Sequence, residues 1–111
     1  MADDFREAIG KRIYEKRKAL QLSQEALAEK ADTTKQTISA AENGKRELTA
    51  HTISRLARAL ESSTDYLING RYTNDDVLML NQRITGLSDI QLQFLEKLIR
   101  NFVEMCDTDD T

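Results

Sequence analysis

The sequence predicts an all-α fold, and three observations carry that prediction. Proline is absent and glycine occurs only four times in 111 residues, too few turn-formers for a sheet-rich chain. Apolar residues recur at three- and four-residue spacing along most of the chain. Ser, Thr or Asp stands ahead of the periodic segments, where side-chain oxygens cap helices. The length suits one hydrophobic core and little more.

The elements follow in order. Asp3 or Asp4 can cap a first helix from Phe5 to about Ala19, whose apolar positions Phe5, Ile9, Ile13 and Tyr14 share one face. Lys11, Arg12, Lys16, Arg17 and Lys18 load its later turns with cations, which suits the negative end of a helix dipole. Leu20-Gln21-Leu22 connects to a second helix, Gln24 to about Lys30, capped by Ser23 and apolar at Leu27, Ala28 and Ala31. Thr33-Thr34 offers a cap to a third, Lys35 to about Glu42, with Ile38 and Ala41 inward. Asn43-Gly44 ends it with residues that tolerate positive φ. Thr49 caps a fourth, Ala50 to about Leu60, with Ile53, Leu56, Ala57 and Leu60 inward. Ser63 caps a short fifth helix carrying Tyr66, Leu67 and Ile68, stopped at Asn69-Gly70. These five form a bundle over residues 1–72. Residues 73–111 read as a helical extension: a polar linker at Thr73-Asn74-Asp75-Asp76, and a short helix begun by Val77-Leu78-Met79-Leu80 and broken near Thr85-Gly86. A long helix from Asp89 to about Cys106, capped by Ser88, and a frayed acidic tail at Asp107–Thr111 complete it.

Composition excludes several classes. No run approaches 18 apolar residues, so no membrane-spanning helix is expected, and the acidic start Met1-Ala2-Asp3-Asp4-Phe5 is unlike a secretory signal. One cysteine, Cys106, rules out an internal disulfide framework and suits a cytoplasmic setting; burial as a small hydrophobe fits it better than an intermolecular bridge. The lone His51, without ligand-spaced partners, reads as a surface residue, so neither metal nor cofactor is expected. Cys106 and a distant His51 make no nucleophile–base pair, and no glycine-rich phosphate loop is present, so no enzyme is expected. The formal net charge of −3 divides unevenly: residues 1–72 hold 13 Lys/Arg against 11 Asp/Glu, residues 73–111 only 3 against 8. The asymmetry hints at divided roles, and the basic surplus is small.

The informative unit is two short helices joined by a tight turn. Such a pair can brace one helix on a DNA backbone while the other enters the major groove, provided the entering helix is apolar inward and short and polar outward. Ile38 and Ala41 meet the first need; Thr34, Lys35, Gln36, Ser39 and Ala40 meet the second. Here the chain resembles the Xre family of helix-turn-helix proteins, related to the lambdoid phage repressors. The likeness lies in Ser23-Gln24-Glu25-Ala26-Leu27-Ala28, then Thr37-Ile38-Ser39-Ala40-Ala41-Glu42-Asn43-Gly44-Lys45. It continues through Ile53-Ser54-Arg55-Leu56-Ala57-Arg58-Ala59-Leu60 and Thr64-Asp65-Tyr66-Leu67-Ile68-Asn69-Gly70.

The resemblance implies a five-helix, lambda-repressor-like DNA-binding bundle and assigns roles to residues. Lys35, Gln36 and Ala40 fall where such repressors touch base edges, with Thr34 and Ser39 as second choices. Gln24, Asn43 and Lys45 would hold the DNA backbone. Arg17 and Glu42 occupy positions that form a largely buried ion pair. The chemistry suits these roles independently: Gln can bond adenine bidentately, Lys can donate to guanine, and the Ala40 methyl can meet a thymine methyl. Three positions depart from the family pattern. Asp32 stands where the turn usually has Gly, and is expected to keep the turn at modest cost. Leu48 replaces a common Pro, and Glu61 a common Gly.

The last helix is the second signal. Ile90, Phe94, Leu95, Leu98, Ile99, Phe102, Val103 and Cys106 make a wide apolar stripe, broadened by Leu92 and Met105. A homodimer interface through this helix, assisted by Val77–Leu80, is expected, with Phe94, Leu95, Leu98, Ile99 and Phe102 at its centre; packing on its own bundle is the alternative. The expected function is a sequence-specific regulator of double-stranded DNA, a repressor acting as a dimer on a palindromic operator at the nucleoid. An antitoxin-type autorepressor or a mobile-element controller fits equally, and a protein-interaction module that ignores DNA is the rival from another class. No sensory domain is expected in this length, so any regulation would come from a protein partner, proteolysis or concentration.

Overall fold

A computed structural model describes residues 2–109 of the chain. Among the described residues there are seven helices and no strand: α1 (Ala2–Ala19), α2 (Gln24–Lys30), α3 (Lys35–Glu42), α4 (Ala50–Ala59), α5 (Thr64–Asn69), α6 (Asn74–Ile84) and α7 (Asp89–Asp109). The chain forms two compact units that part between Met79 and Leu80, within α6.

Local chemistry sets the helix starts. Ser23, Thr34, Thr49 and Ser63 each adopt extended backbone and accept a hydrogen bond from the N–H three residues on, closing α2, α3, α4 and α5. Ser88 and Gln91 form a reciprocal capping box at α7: Gln91 Oε1 accepts from Ser88 N–H at 2.9 Å, and Ser88 Oγ from Gln91 N–H at 3.3 Å. The first helix differs from expectation. Its backbone is already helical at Ala2, so Asp3 and Asp4 lie inside the first turn instead of capping it. α7 likewise runs on to Asp109, so most of the acidic tail is helical, and the rest of that tail, residues 110–111, lies outside the described residues.

The helix ends share one geometry. After each of α1, α2 and α4 a residue in the left-handed region turns the chain: Gln21 (φ 59°), Asp32 (φ 54°) and Glu61 (φ 54°). Gly44 (φ 69°) does the same after α3. In all four, the next N–H reaches back five residues to a carbonyl of the helix, as from Thr33 to Ala28 and from Lys45 to Ala40 at 2.9 Å each. Asp32 and Glu61 therefore hold the glycine conformation without being glycine.

The first unit buries Ile9, Ile13, Leu27, Ala28, Ala31, Ile38, Ala41, Ile53, Leu56, Ala57, Leu60 and Leu67 in one core. Leu48, where a proline was the familiar residue, packs its side chain at the edge. Phe5 and Tyr14 lie outside, half exposed, because the stripe continued by Ile9 and Ile13 passes between them; Tyr14 instead faces the cations of Arg17 and Lys18. The backbones of α1 and α3 approach closely at Gly10, where a Cβ would come 2.1 Å from the Ala41 carbonyl oxygen. Arg12 ties α1 to the end of α5, donating to the carbonyls of Leu67 (3.1 Å) and Ile68 (3.0 Å).

Thr73–Asp76, which reads as a polar linker in the sequence, forms the start of a helix. α6 begins at Asn74, and Asp76 is buried, accepting from the N–H and hydroxyl of Ser63 (2.7 and 2.6 Å) and of Thr73 (2.8 and 3.1 Å). Burial opposes its charge most strongly, yet the Ser63 and Thr73 bonds together outweigh it and hold the carboxyl below its ordinary range.

In the second unit α7 leaves its stripe open. Ile90, Phe94, Leu98, Ile99, Phe102, Val103 and Met105 are all about half exposed or more, and Leu95 is partly covered. Cys106 shares that open face and is exposed, against the expectation of burial, because burial of a cysteine requires a packed surface over its helix face.

Candidate nucleic-acid interface

The pair α2 and α3 is joined by Ala31–Thr34, with Asp32 supplying the left-handed step that α2 needs to end sharply. Three contacts orient α3. Ile38 and Ala41 sink into the core. Thr34 caps the start: its Oγ1 accepts from Thr37 N–H at 3.1 Å and lies 2.9 Å from the Thr37 hydroxyl. The far end is fixed by an ion pair, as Arg17 of α1 donates through Nε to Glu42 Oε2 at 2.6 Å and through Nη2 to Oε1 at 2.9 Å.

That pair is deeply placed, its side chains 8% and 5% exposed. The third arm of the guanidinium, Nη1, donates to the Leu22 carbonyl at 2.8 Å, at the turn that enters α2. Gln24 Nε2 adds a bond to Glu42 Oε1 at 3.1 Å. One carboxylate thus gathers α1, the start of α2 and the end of α3. The hydrogen bond to Glu42 raises the Arg17 pKa further, against the opposing effect of burial, so the guanidinium keeps its charge in this buried position.

With its inward side so fixed, α3 turns the remaining residues outward. Lys35 and Gln36 are exposed, Ser39 and Ala40 partly so, and they form one face with Asn43 just beyond the helix. Thr34 is exposed as well, but its hydroxyl is engaged in the cap. Asn43 is exposed, and its Nδ2 donates back to the Ser39 carbonyl at 2.9 Å, a bond that uses one N–H and leaves its Oδ1 and second N–H uncommitted to it. Lys45 is exposed in the following loop. Arg46 beside it, which the sequence did not single out, donates through Nη1 to Thr37 Oγ1 at 3.1 Å. Phe94, Leu95, Leu98, Ile99 and Phe102 belong to α7, in the second unit. His51 is exposed in the first turn of α4.

A capped helix braced by a second short helix, presenting amide, ammonium, hydroxyl and methyl groups outward, defines a helix-turn-helix DNA-binding fold. The helix-turn-helix family matches over residues 13–67. The restriction-modification controller protein C.AhdI from Aeromonas hydrophila is 32% identical, over 56% of this chain and 94% of that one, with a TM-score of 0.55. The P22 c2 repressor, solved with a synthetic operator, is 33% identical over 57% of this chain and 96% of its own, also at 0.55. The SinR/SinI complex matches in fold, at 24% identity over 86% of this chain and 98% of the other and a TM-score of 0.55. This chain belongs to the Xre-type helix-turn-helix family, and it is a DNA-binding transcriptional regulator and not an enzyme.

Proposed function

We propose that this protein is a sequence-specific repressor that binds a palindromic operator as a homodimer and occludes a promoter at the nucleoid. The observation that carries the reading is the outward face of α3, where Lys35, Gln36, Ser39 and Ala40 stand on a helix locked at both ends. In this reading Lys35, Gln36 and Ala40 meet base edges, with Thr34 and Ser39 secondary, while Gln24, Asn43 and Lys45 hold phosphates. Phosphate contacts supply register and base contacts supply the code.

A reading helix of eight residues reaches few base pairs, so a two-fold pair on half-sites about 34 Å apart is the efficient route to specificity. The open apolar face of α7, with Phe94, Leu98, Ile99 and Phe102 each at least half exposed, suits a second copy of the chain. The acidic surplus of residues 73–111 keeps that face away from DNA phosphates. The likeness to a restriction-modification controller also favours control of a mobile element as the setting.

A gel shift on promoter fragments at two salt concentrations tests the DNA reading. Retardation at low salt that weakens as salt rises is expected, since phosphate contacts release counterions; no retardation at low salt overturns it. Light scattering tests the pair: the chain should have twice the monomer mass, and Leu98→Glu should halve it. An unchanged mass refutes the interface.

A further inference from the structure

We propose that Arg46 is a DNA-backbone clamp, held by Thr37 on the flank of α3 opposite Gln24 and binding a phosphodiester of the far groove wall. The inference rests on the DNA reading above.

At about 100° per residue, Lys35, Ser39, Asn43, Gln36 and Ala40 fill one continuous arc of the α3 surface. Glu42 borders that arc on one side and Thr37 on the other. Each border residue receives a long polar side chain from outside the helix: Gln24 Nε2 donates to Glu42 Oε1, and Arg46 Nη1 to Thr37 Oγ1, both at 3.1 Å. The reading face is therefore flanked on both sides by a tethered donor. A helix seated in a major groove about 12 Å wide has a phosphate wall along each flank, so two flanking donors address both walls.

Arg46 suits the task better than a purely structural link would require. The bond to Thr37 uses one of five guanidinium N–H groups, and the residue is exposed, so the remaining donors are open to a phosphate. Its anchor is firm, because Thr37 is buried and its hydroxyl is joined to that of the cap residue Thr34 at 2.9 Å. Arg46 also lines a small cleft with Phe5, Ile9 and Leu48, a setting in which an arginine can rest its aliphatic stem and keep its charged head in water. The neighbouring carboxylate that would repel a phosphate, Glu47, is drawn to Arg6 at 3.6 Å.

Arg46→Gln removes the charge and keeps a donor for Thr37. Measured against salt on the full chain, its binding should lose close to one unit of the log–log slope, about 0.9 per phosphate contact. Its base preference, selected from a random DNA pool, and its melting temperature should match the wild type. Arg46→Lys should keep the slope. An unchanged slope in Arg46→Gln overturns the proposal, as does an altered base preference, which would make Arg46 a base reader. A wild-type protein that binds no fragment overturns the DNA reading itself, before Arg46 is touched.

Discussion

Arg17 and Glu42 meet at 2.6 and 2.9 Å in a two-pronged ion pair that joins the last turn of α1 to the last residue of α3. With side chains 8% and 5% exposed, neither charge has water to fall back on. Removing one partner strands the other, which costs about 3–5 kcal/mol. Glu42→Ala should therefore lose stability on that scale in urea denaturation, whereas Arg17→Met combined with Glu42→Leu should lose markedly less. Equal losses in the single and double variants would mean that the geometry, and not the stranded charge, is what matters. DNA affinity gives a second reading: the double variant frees Gln24 from Glu42, so it should bind less tightly even where it folds well.

Gly10 predicts an effect of the opposite sign to helix propensity. Alanine in a helix interior is favoured over glycine by about 1 kcal/mol. Here a Cβ would lie 2.1 Å from the Ala41 carbonyl oxygen and 2.9 Å from that of Glu42, both backbone atoms. Gly10→Ala must push α1 away from α3, and overpacking of this kind costs about 1–3 kcal/mol. Chemical denaturation should show net destabilisation. A neutral or stabilising result would refute the close crossing of the two helices.

Asp76 makes stability depend on acid. Its folded pKa is lowered, so its contribution is present in full above the ordinary carboxylate range and fades as pH falls through the folded value. At neutral pH Asp76→Asn replaces an acceptor of four hydrogen bonds by a group that must turn one N–H toward other donors. A loss of about 1–3 kcal/mol follows. The gap between wild type and Asp76→Asn should close below the carboxylate range. A gap that stays constant down to acid pH would show that shape, not charge, holds the start of α6 against α5.

The parts of the fold that could be read from sequence are those set by local rules. Ser23, Thr34, Thr49 and Ser63 announce their helices because a cap needs only its own N–H three residues on. Asp32 and Glu61 could be placed in turns because the matching family positions are glycine, and both adopt φ 54°. Gln21, at φ 59°, carries no such mark. What escaped depends on partners distant in sequence. Asp76 finds Ser63 across 13 residues, and a run of Thr, Asn and Asp looks like a linker until that partner is known. One local clue was present: Thr73 and Asp76 have capping-box spacing ahead of Val77-Leu78. Arg46 was hidden likewise, since only the fold returns the loop after α3 to Thr37. Periodicity identified the apolar stripe of α7 but does not say what covers it, and Cys106, expected inside, is exposed.

The division of labour on α3 gives the sharpest functional test. Gln36 is exposed on the reading face and can make two bonds to one adenine, so Gln36→Ala should lose discrimination at a single base position. The loss should be about 1–3 kcal/mol there, with little change elsewhere in the site. Lys45 stands outside the helix in the following loop, where an ammonium meets a phosphate as a point charge. Lys45→Ala should weaken every sequence by a similar factor and reduce the salt slope by about one. Selection from a random DNA pool distinguishes the two: one variant changes the recovered motif, the other changes only the yield. A Lys45→Ala variant with a shifted motif would move base reading beyond the helix. A Gln36→Ala variant with an unaltered motif would remove Gln36 from the code and leave Lys35 and Ala40 to carry it.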